Sequence, residues 1–501
     1  MKQLRPHQNN ALNALNNAPR GIINLPTGTG KTLVQSRAIV SEILKTKNNP
    51  RVYVILSPRI LLSNQLMNDV RSDLGVNKTE AQYCVVHSGR YDDKQDIKVE
   101  RNLGITFRET LSGTTVATIR EAYCRAAKEN VSLVISGTYH SAARIVAADI
   151  PIEIVFCDEA HYLVQEQFAW IVSDPFPAKR AYYFTATLRE TPSVEGMGMN
   201  NPTLFGEKLY SEIPAALIAK GEMVRPRMHM VDMSNQPQKD EADGLAVAAA
   251  FEEHRSVINV GAKILVVSKD GSLHLNTLAN HPEIQRLMEI RPSLRVFDIS
   301  SANGARINGE IVKRDFFLKT LREMTDSDEA IIIHHDILTE GIDVPGITGV
   351  MPLITLTKAK FLQTLGRATR LHGGDRARLY AEKMLPNDLD RFVKPYAWLI
   401  IPVYGEIGAD LREDMKEMIR ELRDHGFNPS EDIMVRQQRG ISKLVPIRTV
   451  NEKTQSMVSL LDFTSEVLHE IEAEEEADLL AAKRARIKDA TDLANFLIEL
   501  K

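Results

Sequence analysis

The sequence predicts an α/β chain: two doubly wound parallel-sheet domains in tandem, followed by a mostly helical C-terminal region. Three observations carry this. Short β-branched runs recur between positions 21 and 403, helical patterns fill the intervals between them, and after position 405 the strand runs stop. The runs are continuously apolar and do not alternate. Strands buried on both faces look like this, because crossover helices cover each face of a parallel sheet. With 501 residues the chain is also too long for one core, and domains of roughly 100 to 200 residues are the norm.

The first series is GIINL (21–25), RVYVIL (51–56), QYCVV (82–86), SLVIS (132–136), EIVFC (153–157) and AYYFT (181–185), which places the first domain over residues 1–210. Residues 211–255 contain SNQPQKDEADG and read as a connector. The second series is AKILVVS (262–268), LRVFDIS (294–300), EAIIIHH (329–335), TGVMPLI (348–354) and AWLIIPV (397–403), giving a second domain over 256–405. In the C-terminal region, 406–501, Leu411, Met415, Met418, Ile419 and Leu422 fall at helical spacing and Gly426 is placed to end that helix. Further on, HEIEAEEEADLLAAKRARIKDA passes from an acidic to a basic block. It reads as a solvated amphipathic helix, with contact to nucleic acid or a protein partner as the alternative.

Bulk composition excludes several classes. Cys84, Cys124 and Cys157 share no C-x-x-C spacing, so neither a disulfide framework nor a zinc site is expected. The N-terminus lacks the apolar core of a signal peptide, and no apolar run reaches the ~18 residues of a membrane span. A soluble, cytoplasmic protein without a membrane contact is the expectation. A net charge of −4 gives no whole-chain footprint of nucleic-acid binding. It does not exclude such binding, because basic residues can be confined to one groove.

The chemistry lies in three motifs. NLPTGTGKTL (24–33) joins a strand to a helix through Thr27, Gly28, Thr29 and Gly30. In that context backbone N–H groups and the helix N-terminus face a β-phosphate, Lys31 neutralises β/γ charge and the Thr32 hydroxyl can ligate Mg²⁺. The full pattern has Gly at position 25, where this chain has Leu25; the substitution removes a permissive site at the start of the loop and leaves the cradle. IEIVFCDEAH (152–161) then delivers two carboxylates to the tip of a buried strand, where α/β sheets bind ligands. Asp158 suits a Mg²⁺ held through water, and Glu159 suits orientation and deprotonation of an attacking water. Finally QTLGRATR (363–370) puts Gln363, Arg367 and Arg370 on one helical face in the second domain, as arginine fingers crossing a cleft would require.

These motifs, in this order, resemble a superfamily 2 helicase or translocase of the DEAH-box-like group over roughly residues 3–372, a group that includes restriction motors, phage branch-migration enzymes and recombination and repair helicases. The resemblance implies two RecA-like domains clamping ATP and Mg²⁺. LRPHQ resembles the adenine-side motif, implying that Gln8 reads the base and Arg5 supports it. LPTGTGKT is a familiar form of motif I, DEAH (158–161) matches motif II, and TATL (185–188) resembles motif III, making Thr185 and Thr187 coupling residues and His161 the link to them. TEGIDVPG (339–346) resembles motif V, with Gly341 and Asp343 toward the nucleotide. On the nucleic-acid side the resemblance implies backbone contacts from Pro58 and Arg59, from Thr138 in SGTYHSA, from Ser268 in VVSKD and from Thr339. Such contacts bind without reading sequence.

The expected activity is therefore ATP hydrolysis coupled to movement along nucleic acid, DNA favoured over RNA, with unwinding, branch migration or repair as outcomes. The alternatives are a motor subunit of a restriction-type complex and an ATPase switch without unwinding. H-E-x-x-H and G-x-S-x-G are absent. Glu310 and Lys313 near Asp298 have E-x-x-K spacing, which fits a loop-to-helix entry better than a nuclease.

Overall fold

The computed structural model describes residues 3–404 apart from 47–48, 90, 92–106, 174–175, 234–239, 259, 270–271, 301–303, 336–343, 355, 357 and 382–390, together with 416, 419–420, 423 and 433–436. The first domain is built on β1 (Arg20–Asn24), β2 (Val52–Ser57), β3 (Ala81–Val86), β4 (Thr110–Ser112), β5 (Ser132–Thr138), β6 (Ile152–Asp158), β7 (Ala178–Thr185) and β8 (Glu207–Ser211). Their order is β4-β3-β5-β2-β6-β7-β1-β8, every neighbour parallel.

The continuous apolar runs divide between two cores. In β2, Val52, Val54 and Leu56 enter the cluster on one face while Tyr53 and Ile55 enter the cluster on the other. The period-2 pleat sends successive side chains to opposite faces, so both must be apolar. Register keeps the strand ends level: Asn24 pairs with Thr185, Ser57 with Thr138 and Asp158 with Phe184. The polar residues that follow the apolar runs thus collect along one edge, at the carboxyl ends of the strands.

The second domain has β9 (Arg225–Met233), β10 (Lys263–Val267), β11 (Arg295–Ser300), β12 (Gly304–Ile307), β13 (Glu310–Val312), β14 (Ala330–His334), β15 (Gly349–Pro352), β16 (Tyr396–Tyr404) and β17 (Ile433–Arg436), ordered β13-β12-β11-β14-β10-β15-β16-β9-β17. Only the β11-β12 and β12-β13 pairs are antiparallel. Again the pleat splits the core: Ala330 and Ile332 of β14 face one cluster, Ile331 and Ile333 the other.

The tertiary structure differs from the sequence expectation in three places. Within the stretch read as a connector, β9 pairs with β16 from Tyr396↔Arg225 to Tyr404↔Met233, and the helix Asp240–Val257 contributes Ala246 to Phe251 to the core. Arg225, Arg227, His229 and Asp232 interrupt the apolar signal of β9, which hid the strand. Second, Asn308 and Gly309 both take positive φ, 50° and 81°, and turn β12 into β13 as a tight hairpin. Glu310 sits in that hairpin, Lys313 caps the helix Arg314–Arg322, and Asp298 is buried against Arg306, so they form no nuclease site. Third, the expected C-terminal helices lie outside the described residues except for 416, 419, 420 and 423, which are helical, and residues 433–436 form a strand beside β9. Among the described residues no helix is long and apolar enough to cross a membrane.

Candidate functional site

Position 25 directly follows β1. The Leu25 N–H donates to Thr185 O at 2.9 Å and its side chain is fully buried, so a large apolar residue is accommodated there and the turn begins after it. Gly28 and Gly30 adopt φ of 83° and 89°, a left-handed backbone that side chains with a Cβ disfavour. Gly30 is the N-cap of the helix Lys31–Lys45, in which Thr32 is the second residue, and a Cβ at Gly30 would collide with Gln8 Nε2. Three side chains converge on the Thr29 carbonyl: Arg5 Nη2 at 2.6 Å, Gln8 Nε2 at 2.7 Å and His7 Nε2 at 3.1 Å. Arg5 is anchored in turn by Glu222 at 3.4 Å. Burial, aided by Arg5, lowers the His7 pKa, so the ring is neutral and its Nε2–H donates. Arg5 and Gln8 both bond to the glycine loop, a contact the sequence reading did not name; His7 and Glu222 were missed, although His7 stands inside the LRPHQ segment.

Asp158 ends β6. Its Oδ1 accepts from Gln35 Nε2 at 2.8 Å and its carbonyl accepts from the Tyr139 hydroxyl at 2.5 Å. Burial and then the neighbouring Glu159 push the Asp158 carboxyl up to about 7, against the opposing pull of Lys31 and Gln35. Glu159 takes φ 49°, ψ 49°, a left-handed backbone uncommon outside glycine, asparagine and aspartate and concentrated at functional sites. That turn swings its carboxylate back to 3.6 Å from Lys31 Nζ and 3.5 Å from His161 Nδ1.

His161 is held neutral by burial, its pKa lowered to about 4. The Thr185 hydroxyl donates to Thr187 O at 2.8 Å and accepts from Thr187 N at 3.1 Å, leaving a lone pair for His161 Nδ1 at 3.2 Å. A neutral ring with its proton on Nδ1 satisfies this geometry. His161, Thr185 and Thr187 therefore form one hydrogen-bonded chain to the end of β7, with the Glu159 carboxylate 3.5 Å from its His161 end. Gln35, one helical turn after Lys31, completes the Asp158 environment, and helical periodicity was the available signal for it.

The second domain supplies the helix Lys358–Ala368, in which Gln363 and Arg367 are buried. It lies directly on the loop. A Cβ at Gly366 would stand 2.5 Å from Thr27 Cβ, and one at Gly28 would stand 2.7 Å from both Arg370 Cγ and Gly366 O. Thr27, Gly28 and Arg370 therefore share one contact between domains that only glycines permit. Gly341, Asp343 and Thr339 lie outside the described residues.

Lys394, absent from the sequence reading, buttresses this helix. Its Nζ donates to Ala368 O at 2.6 Å and Ile347 O at 3.1 Å, and Asp375 accepts from the Lys394 N–H at 2.9 Å. Burial lowers the ammonium pKa to about 7; Asp375 and Asp326 oppose this, whereas Arg370 and Lys263 reinforce it. An unfolded lysine titrates near its ordinary value of 10.5, so between these values the unfolded chain binds more protons and stability from this group rises with pH. Below about 7 both states are protonated and the contribution is flat. The melting temperature of the wild type is expected to gain more than that of Lys394→Met between pH 7 and 9 in paired thermal scans; parallel profiles would refute the assignment.

A cavity of about 570 Å³ opens between the domains and gathers Pro58, Arg59 and Thr138 with His140, Arg144 and Arg314. The first three are the residues expected to meet a phosphodiester backbone. The others were missed: Arg144 lies on the short helix Ala142–Ala147 beyond the SGTYHSA segment, and Arg314 opens the helix Arg314–Arg322 of the second domain. Ser268 does not join them. It is fully buried, with its Oγ 2.9 Å from His274 Nδ1.

Residues 1–190 match the family described as "Type III restriction enzyme, res subunit". A comparison with curated proteins finds no match. Among solved structures, the ATP-dependent Type ISP restriction-modification enzyme LlaBIII bound to DNA is 16% identical with a TM-score of 0.64, covering 93% of this chain and 33% of that one. A nuclease-deletion mutant of the Type ISP enzyme LlaGI in complex with a DNA substrate mimic is 17% identical with a TM-score of 0.52, over 84% of this chain and 29% of that one. Dbp5 of S. cerevisiae bound to RNA and ADP BeF3 is 14% identical with a TM-score of 0.53, over 88% of this chain and 91% of that one. The chain thus spans about a third of the length of the two restriction-modification enzymes, and at these identities the likeness is one of fold. The chain is thus similar to the res-subunit family over residues 1–190 and shares its tandem RecA-like fold with these structures.

Proposed function

We propose that the chain is an ATP-dependent motor that moves along nucleic acid, DNA in preference to RNA, by opening and closing its two domains. The observation that carries this is the meeting of the two halves: the glycine loop at residues 27–30 lies against Gly366 and Arg370, while the groove holding Arg59, Arg144 and Arg314 is also shared between the domains. One hinge motion would then change both sites at once.

The residues fit ATP with Mg²⁺. Gly28 and Gly30 hold the loop in a left-handed backbone ahead of the N-terminus of the helix Lys31–Lys45, and the Asp158 carboxylate, disfavoured by burial and by Glu159, gains a counter-charge from a cation. No cluster of three or more His, Cys, Asp or Glu among the described residues could hold a metal alone, which fits a cation shared with phosphate oxygens. Asp158 and Thr32 would hold it, and when bound it would neutralise charge on the phosphates. Lys31 binds phosphate, Glu159 takes a proton from water, and Arg367 and Arg370 meet charge as it develops. Gln8 and Arg5 border the base, Gln363 supports the finger helix, and the chain from His161 through Thr185 to Thr187 reports on the site.

DNA is preferred because two of the structural relatives are described with DNA or a DNA mimic and because LRPHQ and DEAH occur together. ATPase measured with single-stranded DNA, forked DNA and RNA tests this: DNA is expected to stimulate hydrolysis most, and equal rates with and without nucleic acid would refute coupling. Strand displacement on a fork separates unwinding from translocation alone. A motor subunit of a restriction-type complex is the second reading, favoured by the match over residues 1–190.

The groove gives a further expected result. Arg144→Ala and Arg314→Ala should each weaken binding about equally for all DNA sequences and lower the salt slope by about 1. Titrations at several salt concentrations check it; an unchanged slope would remove the phosphate contact.

A further inference from the structure

The chain passes from the first domain to the second within a few residues. The helix Pro214–Ala219 closes with the Glu222 N–H donating to Leu217 O at 2.8 Å and the Gly221 N–H donating to Ile218 O at 2.9 Å, and Gly221 takes φ 71°. These paired bonds around a left-handed glycine end the helix and turn the chain away from it. Val224 already belongs to the core of the second domain, and β9 begins at Arg225. The crossing is thus residues 221–224, and it is held from both sides. On one side Arg5 Nη1 donates to Glu222 O at 3.2 Å and to Glu222 Oε2 at 3.4 Å, while Arg5 Nη2 donates to Thr29 O of the glycine loop at 2.6 Å. On the other side the Val224 N–H donates to Thr369 O at 2.9 Å, between Arg367 and Arg370 in sequence. One line of hydrogen bonds therefore joins the glycine loop, the crossing and the end of the finger helix.

The ion pair in this line is buried: the Arg5 side chain is 10% exposed and that of Glu222 6%. Carbonyl oxygens can accept from a guanidinium but do not balance its charge, and a buried cation without a counter-charge is driven toward water. The Glu222 carboxylate supplies that charge, and the planar fork of arginine lets one group reach the loop and the crossing at once. We propose that Glu222 is a positioning residue: by holding Arg5 between Thr29 and the crossing, it sets the shape of the glycine loop and the angle between the domains together. Without the carboxylate Arg5 withdraws, the crossing is held from the finger side alone, and Arg370 meets the loop in a smaller fraction of molecules. The kinetic consequence rests on the proposed ATPase function; the coupling of loop to crossing does not.

The test uses the full chain and reads the inter-domain distance apart from hydrolysis. Cys124 is exposed whereas Cys84 and Cys157 are buried, so one nitroxide goes on Cys124 in the helix Val116–Lys128 and a second on Glu289→Cys, an exposed position in the helix Pro282–Ile290. Pulsed electron–electron resonance then gives the distance distribution, which is expected to be broader in Glu222→Gln than in the parent. In an Arg5→Gln background the same substitution should add no further broadening, because a residue that acts through Arg5 has nothing left to hold. For ATP hydrolysis with DNA, Glu222→Gln should lower kcat ~10-fold, the scale of one buried charged hydrogen bond, and change KM far less. An unchanged distribution in folded Glu222→Gln, or equal broadening with and without Arg5, would overturn the proposal. Should Glu222→Gln not fold, Arg5→Lys, which keeps the charge and loses the fork, is expected to broaden the distribution, and an unchanged one would again overturn it. Broadening through Arg5 with undiminished kcat would overturn the kinetic consequence. The same broadening in a chain without any ATPase would support the coupling and refute the proposed function.

Discussion

Glu159→Gln is expected to bind ATP as tightly as the wild type and to turn it over about 10²–10⁴-fold more slowly, the usual range for loss of a general base. The substitution is nearly isosteric, so the left-handed turn at position 159 and the buried Asp158 beside it are retained. What disappears is the carboxylate 3.6 Å from Lys31 Nζ, and with it the group that accepts a proton. Removing a negative charge next to Asp158 also lowers the cost of ionising that aspartate, because Glu159 is the second cause, after burial, of its raised pKa. Cation affinity should therefore hold or improve while turnover collapses. Fluorescent-nucleotide titration and single-turnover hydrolysis separate the two quantities. A variant within a factor of a few of the wild-type rate would show that another group takes the proton.

Arg370→Ala is the second large effect: a fall in turnover of about 10³-fold or more, as for other arginine fingers, with nucleotide affinity changed far less. Arg370 Cγ lies 2.7 Å and its Nε 3.0 Å from where a Cβ on Gly28 would stand, so its head group is delivered to the loop from the other domain. Arg370→Lys should recover little, since an ammonium cannot reproduce the planar fork that meets two oxygens at once. Equal losses in affinity and turnover would instead mean that Arg370 binds the ground state. Arg367 is buried on the helix Lys358–Ala368, which ends two residues before Arg370, and its alanine variant tests fold support as much as chemistry, which makes Arg370 the cleaner probe.

Much of the strand framework was legible because buried parallel strands leave a continuous apolar signal. The runs at 21–25, 51–56, 82–86, 132–136, 153–157 and 181–185 correspond to β1, β2, β3, β5, β6 and β7. What escaped was polar or short. β4 and β13 have three residues each, β8 is half exposed, and β9 mixes arginine and histidine with methionine. The partners of β8 and β9 are remote in sequence, β1 and β16, so no local window contains the contact that stabilises them. Ser268 shows the opposite error: its motif placed it on the nucleic-acid path, but the His274 ring one helix later turns its hydroxyl inward.

By itself the sequence determined two kinds of thing: which segments must be buried on both faces, and which loops carry glycine, lysine, carboxylate and arginine at spacings suited to a nucleotide. Both are local, set by periodicity and by backbone permissiveness over a few residues. Only the tertiary structure decided what depends on distance between remote segments. It placed Gly366 against Thr27, aimed Arg5, His7 and Gln8 at one carbonyl, ran a hydrogen-bonded path from His161 to Thr187, and set Arg144 opposite Arg314 across one groove. The buried Lys394 under the finger helix belongs with these. Nothing in the neighbourhood of a lysine in sequence announces which two carbonyls it will join, because packing of the whole domain brings them there.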